Sequence, residues 1–263
     1  MDSNISNLSI ISPDAKIGNG VKISPFVIIE ADVVIGNNTE IQPNSHIQNG
    51  ARIGENCKIF TGASIGAAPQ DLKFDGEYKT LASVGDNTTV REYVTIHRGT
   101  EATGKTSVGK NCLLMAYSHV AHDCVVGDNV ILANGVQLAG HVSVDDWAIL
   151  GGLTGVHQFE RVGKHAFIGA CFRVMKDVPP YCIAGSEPLG FSGINIVGLR
   201  RRGFSDESIE LISEAYRTIY RSGLNISDGV NKVEKAFQQT DEIKEIINFI
   251  RNSQRGVIPL ARK

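Results

Sequence analysis

From Ile11 to Ile65 an isoleucine stands at every sixth position. The rhythm is lost after Ile65 and resumes one residue out of phase at Val84. It then runs through Val90, Ile96, Ala102, Val108, Leu114 and Val120 to Ile168 and Val174, and only Ala102 in that series is not Ile, Leu or Val. A period of about six matches neither the 3.6 of a helix nor the 2.0 of one long strand. It matches short strands joined by tight corners and wound as a coil, the hexapeptide class of β-helix.

The other positions of the hexad agree. Four residues after each isoleucine comes a small or β-branched residue: Ala15, Val21, Val27, Val33, Thr39, Ser45, Ala51, Cys57 and Ala63. That residue lies two before the next isoleucine, so alternation along a strand turns both into the bore. Gly, Asn and Asp fill the positions between, as in Gly36-Asn37-Asn38 and Gly127-Asp128-Asn129. These residues tolerate positive φ or bond to their own backbone, which suits corners. Three hexads closing a triangle give coils of about 18 residues stacked ~4.8 Å apart, and about nine of them cover residues 11–179. Stability is then roughly a sum of terms between neighbouring coils.

Two stretches break the rhythm. Residues 66–83 do not thread as hexads and are expected to leave the coil as a loop, and a shorter excursion is expected near Ala102 to Lys105. Loops thrown off a rigid scaffold commonly carry function. Composition changes after Pro179-Pro180: residues 181–203 read as irregular and Gly-rich, and then the helical period appears. Ser205 is placed to cap a helix carrying Ile209, Ile212, Ala215, Tyr216 and Ile219, with Gly223 as its stop. Ser227 is read as the cap of a second helix with Val230, Val233 and Phe237, and a third carries Ile243, Ile246, Ile247 and Ile250. The predicted organisation is a mainly β unit over 1–188 and a small α-helical C-terminal unit over 189–263. The second is too small to be comfortable alone and is expected to pack on the last coils or on a neighbouring chain.

A net charge of −2 gives no global attraction to nucleic acid. The five cysteines are odd in number, and Cys57 and Cys124 fall on inward positions. They read as reduced, buried packing residues of a reducing compartment. The first residues lack a basic segment followed by an apolar one, and no stretch approaches the ~18 apolar residues of a membrane span. The expectation is a cytoplasmic protein with no integral membrane segment.

The candidate chemistry gathers between residues 97 and 157, where His97, His119, His122, His141 and His157 fall. On a coil of about 18 residues His122, Gly140 and Gln158 form one column, and Asp123, His141 and Phe159 the next. His122 beside Asp123 offers a base with a carboxylate to hold its tautomer. Gly140 lets a substrate approach the backbone, and its N–H is a candidate oxyanion donor. Two other readings stay open: histidines bonded to the backbone at corners, or a zinc site drawn from the same five histidines. No covalent nucleophile presents itself, since Cys112 and Cys124 point inward by phase and Ser118 lacks a base. Arg200-Arg201-Arg202 suits a phosphate or an acidic partner, and Lys73 of the long loop can join them if that loop reaches a neighbouring subunit.

Longer motifs carry a resemblance. Gln70-Asp71-Leu72-Lys73, Thr95-Ile96-His97-Arg98-Gly99, His119-Val120-Ala121-His122-Asp123, Leu138-Ala139-Gly140-His141-Val142, Val156-His157-Gln158-Phe159, Asp177-Val178-Pro179-Pro180 and Gly198-Leu199-Arg200-Arg201-Arg202-Gly203 together resemble the acyl-carrier-protein-dependent UDP-N-acetylglucosamine O-acyltransferases of lipid A biosynthesis. The resemblance covers the whole chain. It implies a homotrimeric left-handed parallel β-helix with active sites between subunits, and no cofactor. It implies transfer of a 3-hydroxyacyl group from acyl carrier protein to the glucosamine 3-position of UDP-N-acetylglucosamine. His122 resembles the general base, Asp123 its supporting carboxylate and Gly140 the oxyanion donor. Gln70, Asp71, Lys73, His119, His141, His157 and Gln158 resemble sugar and acyl-chain contacts, and Asn195, Arg201 and Arg202 nucleotide and phosphate contacts. Ala170 stands at the position that floors the acyl groove. Val197 departs from the acidic residue found there in some members. Acyl-CoA or a later lipid A intermediate as substrate, and ester against amide formation, remain open on this basis.

Overall fold

The computed structural model describes residues 4–261. The chain folds as a left-handed parallel β-helix followed by a small helical part. Three sheets of 11, 9 and 8 strands form its walls. Most strands are two residues long, and each pairs in parallel with the strand one coil further on. Ile23 pairs with Ile41, Leu114 with Leu132 and Leu132 with Leu150, the register that the hexads predict. The bore is the isoleucine ladder: Ile29, Ile35, Ile41, Ile47, Ile59 and Ile65 are fully buried. Ile11 and Ile17 are only half-buried, since among the described residues no further coil covers them from below.

Each coil turns through left-handed backbone at its corners. One corner column runs Asn87, Asn111, Asn129, Trp147, His165 and Tyr181, a second Tyr93, Tyr117, Gly135, Leu153 and Cys171, and a third Asp123, His141 and Phe159, all at positive φ. Asparagine adopts this conformation cheaply, whereas Trp, Tyr, Leu and Phe do so at a cost of about 1 kcal/mol or more each. Phe26 apart, the early coils use Asn and Gly at positive-φ corners; many later corners carry aromatic or histidine side chains, so their outward edges carry rings. The sequence pattern pointed to Gly, Asn and Asp as the common corner residues, and the rings at the later corners depart from it.

The long excursion is shorter than expected. Strands Ser64–Ala67 and Leu81–Val84 remain in the coil, so residues 68–80 form the loop. The second excursion lies between strands Thr95–His97 and Lys105–Val108, where Thr95 pairs with His119 across the inserted turn. Residues 181–203 are not irregular. Cys182–Gly185 continues the first sheet and Gly190–Ile194 returns antiparallel to it, a hairpin that straddles position 188. A short helix α1 follows (Ile196–Arg201), capped by Asn195.

Three longer helices complete the chain: α2 (Asp206–Arg221), α3 (Ile226–Ala236) and α4 (Asp241–Arg251). Ser205 caps α2 as expected, but Asn225 rather than Ser227 caps α3, accepting from the Asp228 N–H. The helices pack on the last coils. The Tyr216 hydroxyl donates to the Pro180 carbonyl at 2.5 Å, Tyr220 stacks on Phe191 at 4.4 Å between centroids, and Arg161 lies 4.2 Å over Phe249. No helix among the described residues is long and apolar enough to cross a membrane.

Candidate active site

Asp123 takes left-handed backbone at the corner after strand His119–Val120, and this turns its carboxylate back toward His122. His122 Nδ1 lies 2.8 Å from Asp123 Oδ2, and both residues are buried. The carboxylate is held on every side. Thr100 donates through its N–H to Oδ1 at 3.0 Å and through its hydroxyl to Oδ2 at 2.7 Å, and the Thr103 hydroxyl donates to Oδ1. Burial by itself raises the Asp123 pKa, but the hydrogen bonds from Thr103, Thr100 and His122 outweigh it and hold the carboxyl at about 2. An ionised carboxylate only accepts, so neutral His122 must donate from Nδ1 and keep Nε2 bare. The dyad is therefore set as a base.

One coil on, Gly140 lies directly under the ring. A Cβ built there falls 2.5 Å from His122 Cε1 and 2.7 Å from Nε2, so only glycine leaves the imidazole in place. The corner's backbone bonds run from the His141 N–H to the His122 carbonyl and from the Phe159 N–H to the Gly140 carbonyl. The Gly140 N–H is not among them.

His141 stands edge-on to His122 at 5.3 Å, with Nε2 3.7 Å from Asp123 Oδ2, and stacks on Phe159 at 4.6 Å. His119 meets His97 edge-on at 4.7 Å, and the Thr95 hydroxyl lies 2.7 Å from its Nδ1. Burial, then His119 and His122, press the His97 pKa down to about 4, so that ring is neutral near pH 7. The long loop closes over this edge: Asp71, Lys73, Phe74, Tyr78, Thr100, Glu101 and His141 line a cleft of about 300 Å³. His122, Asp123 and His141 each offer a ligand atom within 4.8 Å of the others, the one cluster of its kind among the described residues. The Asp123 oxygen facing His122 already accepts from His122 and Thr100, so a metal ion would have to dismantle the dyad.

The predicted residues thus divide by corner. His119, His122, Asp123, Gly140 and His141 share one edge, and the cleft brings Asp71 and Lys73 to it. Gln70 is exposed and does not line that cleft. His157 and Gln158 are exposed on the same edge one coil below Gly140, and His157 Nδ1 lies 3.2 Å from Arg255 of the C-terminal segment. Asn195, Arg201 and Arg202 belong to a different edge. The Asn195 side chain is occupied as the α1 cap and donates to the His165 carbonyl at 3.0 Å. Arg202 lies 5.3 Å over Trp147, beside a His165 ring whose pKa burial, then Arg202 and Lys164, press to about 4. Arg201 is exposed, and Arg200 is paired with Asp206. Ala170 is exposed next to Cys171, on the corner column of Tyr117 and Leu153 and on neither of those two edges. Cys57, Cys112, Cys124 and Cys182 are buried as expected, but Cys171 is not. Thr100, Thr103, Phe74 and Tyr78 escaped the sequence reading; the only signal was that they lie in its two excursions.

Comparison with known proteins gives a consistent neighbourhood. The family model described as UDP-N-acetylglucosamine O-acyltransferase, domain 2, matches residues 177–258. The bacterial transferase hexapeptide model matches residues 32–67 and 105–140. An acyl-[acyl-carrier-protein]–UDP-N-acetylglucosamine O-acyltransferase from Janthinobacterium is 49% identical over 95% of this chain and 97% of its own. The protein of the same name from Thiobacillus denitrificans is 47% identical over 95% and 97%. The crystal structure of a UDP-N-acetylglucosamine acyltransferase from Bacteroides fragilis is 54% identical and superposes with a TM-score of 0.93 over 97% of this chain and 99% of that one. The Francisella novicida enzyme is 41% identical, with a TM-score of 0.94 over 97% and 94%.

Proposed function

The chain belongs to the acyl-[acyl-carrier-protein]–UDP-N-acetylglucosamine O-acyltransferase family, and from that premise we propose how its own residues carry the reaction. The chain transfers a 3-hydroxyacyl group from acyl carrier protein to the glucosamine 3-hydroxyl of UDP-N-acetylglucosamine, the first step of lipid A biosynthesis. His122 Nε2 takes the proton of that hydroxyl as its oxygen attacks the thioester carbonyl. The Gly140 N–H donates to the oxyanion that forms. The C–S bond then breaks, the carbonyl is restored as an ester, and the proton held by His122 goes to the departing thiolate. Asp123 remains ionised throughout and stabilises the transient imidazolium. The observation that carries the reading is the His122–Asp123 hydrogen bond at 2.8 Å directly over Gly140.

Asp71, Lys73, His119 and His141 are read as contacts to the sugar and the acyl group, together with Gln70, His157 and Gln158. Asn195, Arg201 and Arg202 are read as contacts to the nucleotide, although they stand on another edge of the same chain. A site using both edges needs a second subunit, and this supports a homotrimer with active sites between coils. An apolar edge is available for it: Ile10, Phe26, Tyr117 and Leu153 are 68%, 60%, 62% and 69% exposed. Ala170 is read as the floor that limits acyl length. The working division is a coil unit over 1–188 and a helical unit over 189–263, acting in the cytoplasm.

The test is mass spectrometry of products formed from UDP-N-acetylglucosamine and 3-hydroxyacyl carrier proteins of graded length, with acyl-CoA as a control donor. The expected product is the 3-O-acyl sugar from carrier-protein donors, lost in His122→Ala with the trimer intact. Turnover by His122→Ala above a tenth of wild type, or equal use of acyl-CoA, would overturn the assignment.

A further inference from the structure

Arg98 belongs to a motif that the chemistry above leaves unused. Its backbone sits where both ends of the long loop meet the coil. The Arg98 N–H donates to the Ala67 carbonyl at 3.0 Å, where the loop departs, and the Gly99 N–H donates to the Leu81 carbonyl at 3.0 Å, where it returns. The guanidinium reaches across that gap. Nη1 lies 3.3 Å from the Asn49 carbonyl and 3.5 Å from the Gly66 carbonyl, and the charged plane stands 5.4 Å from the centroid of the Phe74 ring.

Phe74 is where the guanidinium meets the loop. Its N–H donates to the Asp71 carbonyl at 3.0 Å, and the Lys73 N–H donates to the Asp71 carboxylate at 3.0 Å, so residues 71–74 form one compact turn. Lys73 and Leu72 are exposed on that turn. A loop of polar residues with so little apolar burial has small intrinsic stability. A cation on an aromatic face shifts such a balance by about two- to fivefold, enough to choose between an ordered and a mobile turn.

We propose that Arg98 is a positioning residue for substrate binding: it pins Phe74, and thereby the turn carrying Asp71 and Lys73, over the cleft shared with His141. The inference rests on the acyl-transfer reading for its kinetic consequence, but its structural consequence is independent of it. Arg98 touches neither dyad residue, so its loss acts on the fraction of molecules with the loop in place. That lowers affinity for the sugar nucleotide and leaves the chemical step nearly intact.

The test compares wild type, Arg98→Met, Arg98→Lys and Phe74→Leu in three measurements: steady-state kinetics with UDP-N-acetylglucosamine varied, thermal midpoint, and amide exchange of residues 68–80. Arg98→Met and Phe74→Leu are each expected to raise KM about two- to fivefold with kcat nearly unchanged, and Arg98→Lys to lie between them and wild type. Exchange should quicken in the loop and stay unchanged in the coil. The double variant should be no worse than either single one, since both remove one contact. Unchanged KM and unchanged loop exchange would overturn the inference. So would a fall in kcat that tracks a lower thermal midpoint, because Arg98 would then support the coil and not the loop. If wild type makes no acylated sugar, the acyl-transfer reading fails, and loop exchange alone still decides the role of Arg98.

Discussion

His122 Nδ1 and Asp123 Oδ2 lie 2.8 Å apart although the residues are adjacent in the chain, because Asp123 adopts φ 60° and folds its carboxylate back over the corner. Adjacent side chains on a strand point to opposite faces, so the pair exists only by virtue of that backbone turn.

Replacing Asp123 by Asn keeps the shape and removes the charge that fixes the tautomer. An amide can donate to Nδ1 and so stabilise the tautomer with Nε2 protonated, which is useless as a base. The expected loss in kcat is about 10²–10⁴-fold, with KM nearly constant. Steady-state kinetics and the thermal midpoint of Asp123→Asn together test this.

Gly140→Ala puts a methyl group where the His122 ring now lies, 2.7 Å from Nε2. The imidazole must swing off its carboxylate, and activity should fall by about 10²-fold or more. The coil should lose only about 1–3 kcal/mol from overpacking. A fully active, normally melting Gly140→Ala protein would refute the placement of the base above this glycine.

Thr100 and Thr103 carry the ionisation of Asp123. Without their hydroxyls, burial raises the carboxyl with less to oppose it, so the group titrates above its present value of about 2. In a Thr100→Val/Thr103→Val protein the acid limb of the kcat/KM profile should move to higher pH. A limb unmoved from wild type would mean that these hydroxyls do not tune the dyad.

Stability should fall on mild acidification. Burial comes first among the causes that press His97 and His165 to about 4, from an ordinary 6.5. The unfolded chain therefore binds protons where the folded chain does not. The stability present above about pH 6.5 is lost progressively as pH falls toward 4, at up to about 1.4 kcal/mol per unit per ring. Melting measured across this window should show the decline, and His97→Asn should flatten it.

Metal removal is expected to leave turnover unchanged, because Asp123 is already saturated by Thr100, Thr103 and His122. Assays after exhaustive chelation check this. Activity that vanished with EDTA and returned with zinc would assign the His122–Asp123–His141 group a metal instead.

Much of this arrangement is legible in the repeat itself. A strict hexad fixes which residues point inward, and the triangular closure places His122 above Gly140 and Asp123 above His141. What stayed hidden depends on chain paths outside the repeat. Thr100 and Thr103 reach Asp123 from an excursion whose course no period describes. Arg255 meets His157 from 98 residues away because a helical segment folds back on the coil. The hairpin at Cys182–Ile194 was unreadable because its glycines look alike in a loop and in a tight antiparallel pair. The cap of α3 was misplaced because Asn225 and Ser227 are both good caps, and only the helix start decides between them.

The two excursions leave the coil and rejoin it with only one local register shift, between Ile65 and Ala67 at the root of the long loop: Ser64 still meets Thr95, and Thr95 still meets His119. The wall therefore accommodates both a long and a short insertion, each of which leaves and rejoins the coil between two consecutive strands. A lineage can rewrite the loop over the dyad, in length or in composition, while every inward residue keeps its neighbours. Substrate preference and scaffold integrity are in this way heritable separately, and loop exchange between relatives should yield folded hybrids with altered sugar selectivity more readily than substitutions within the coil.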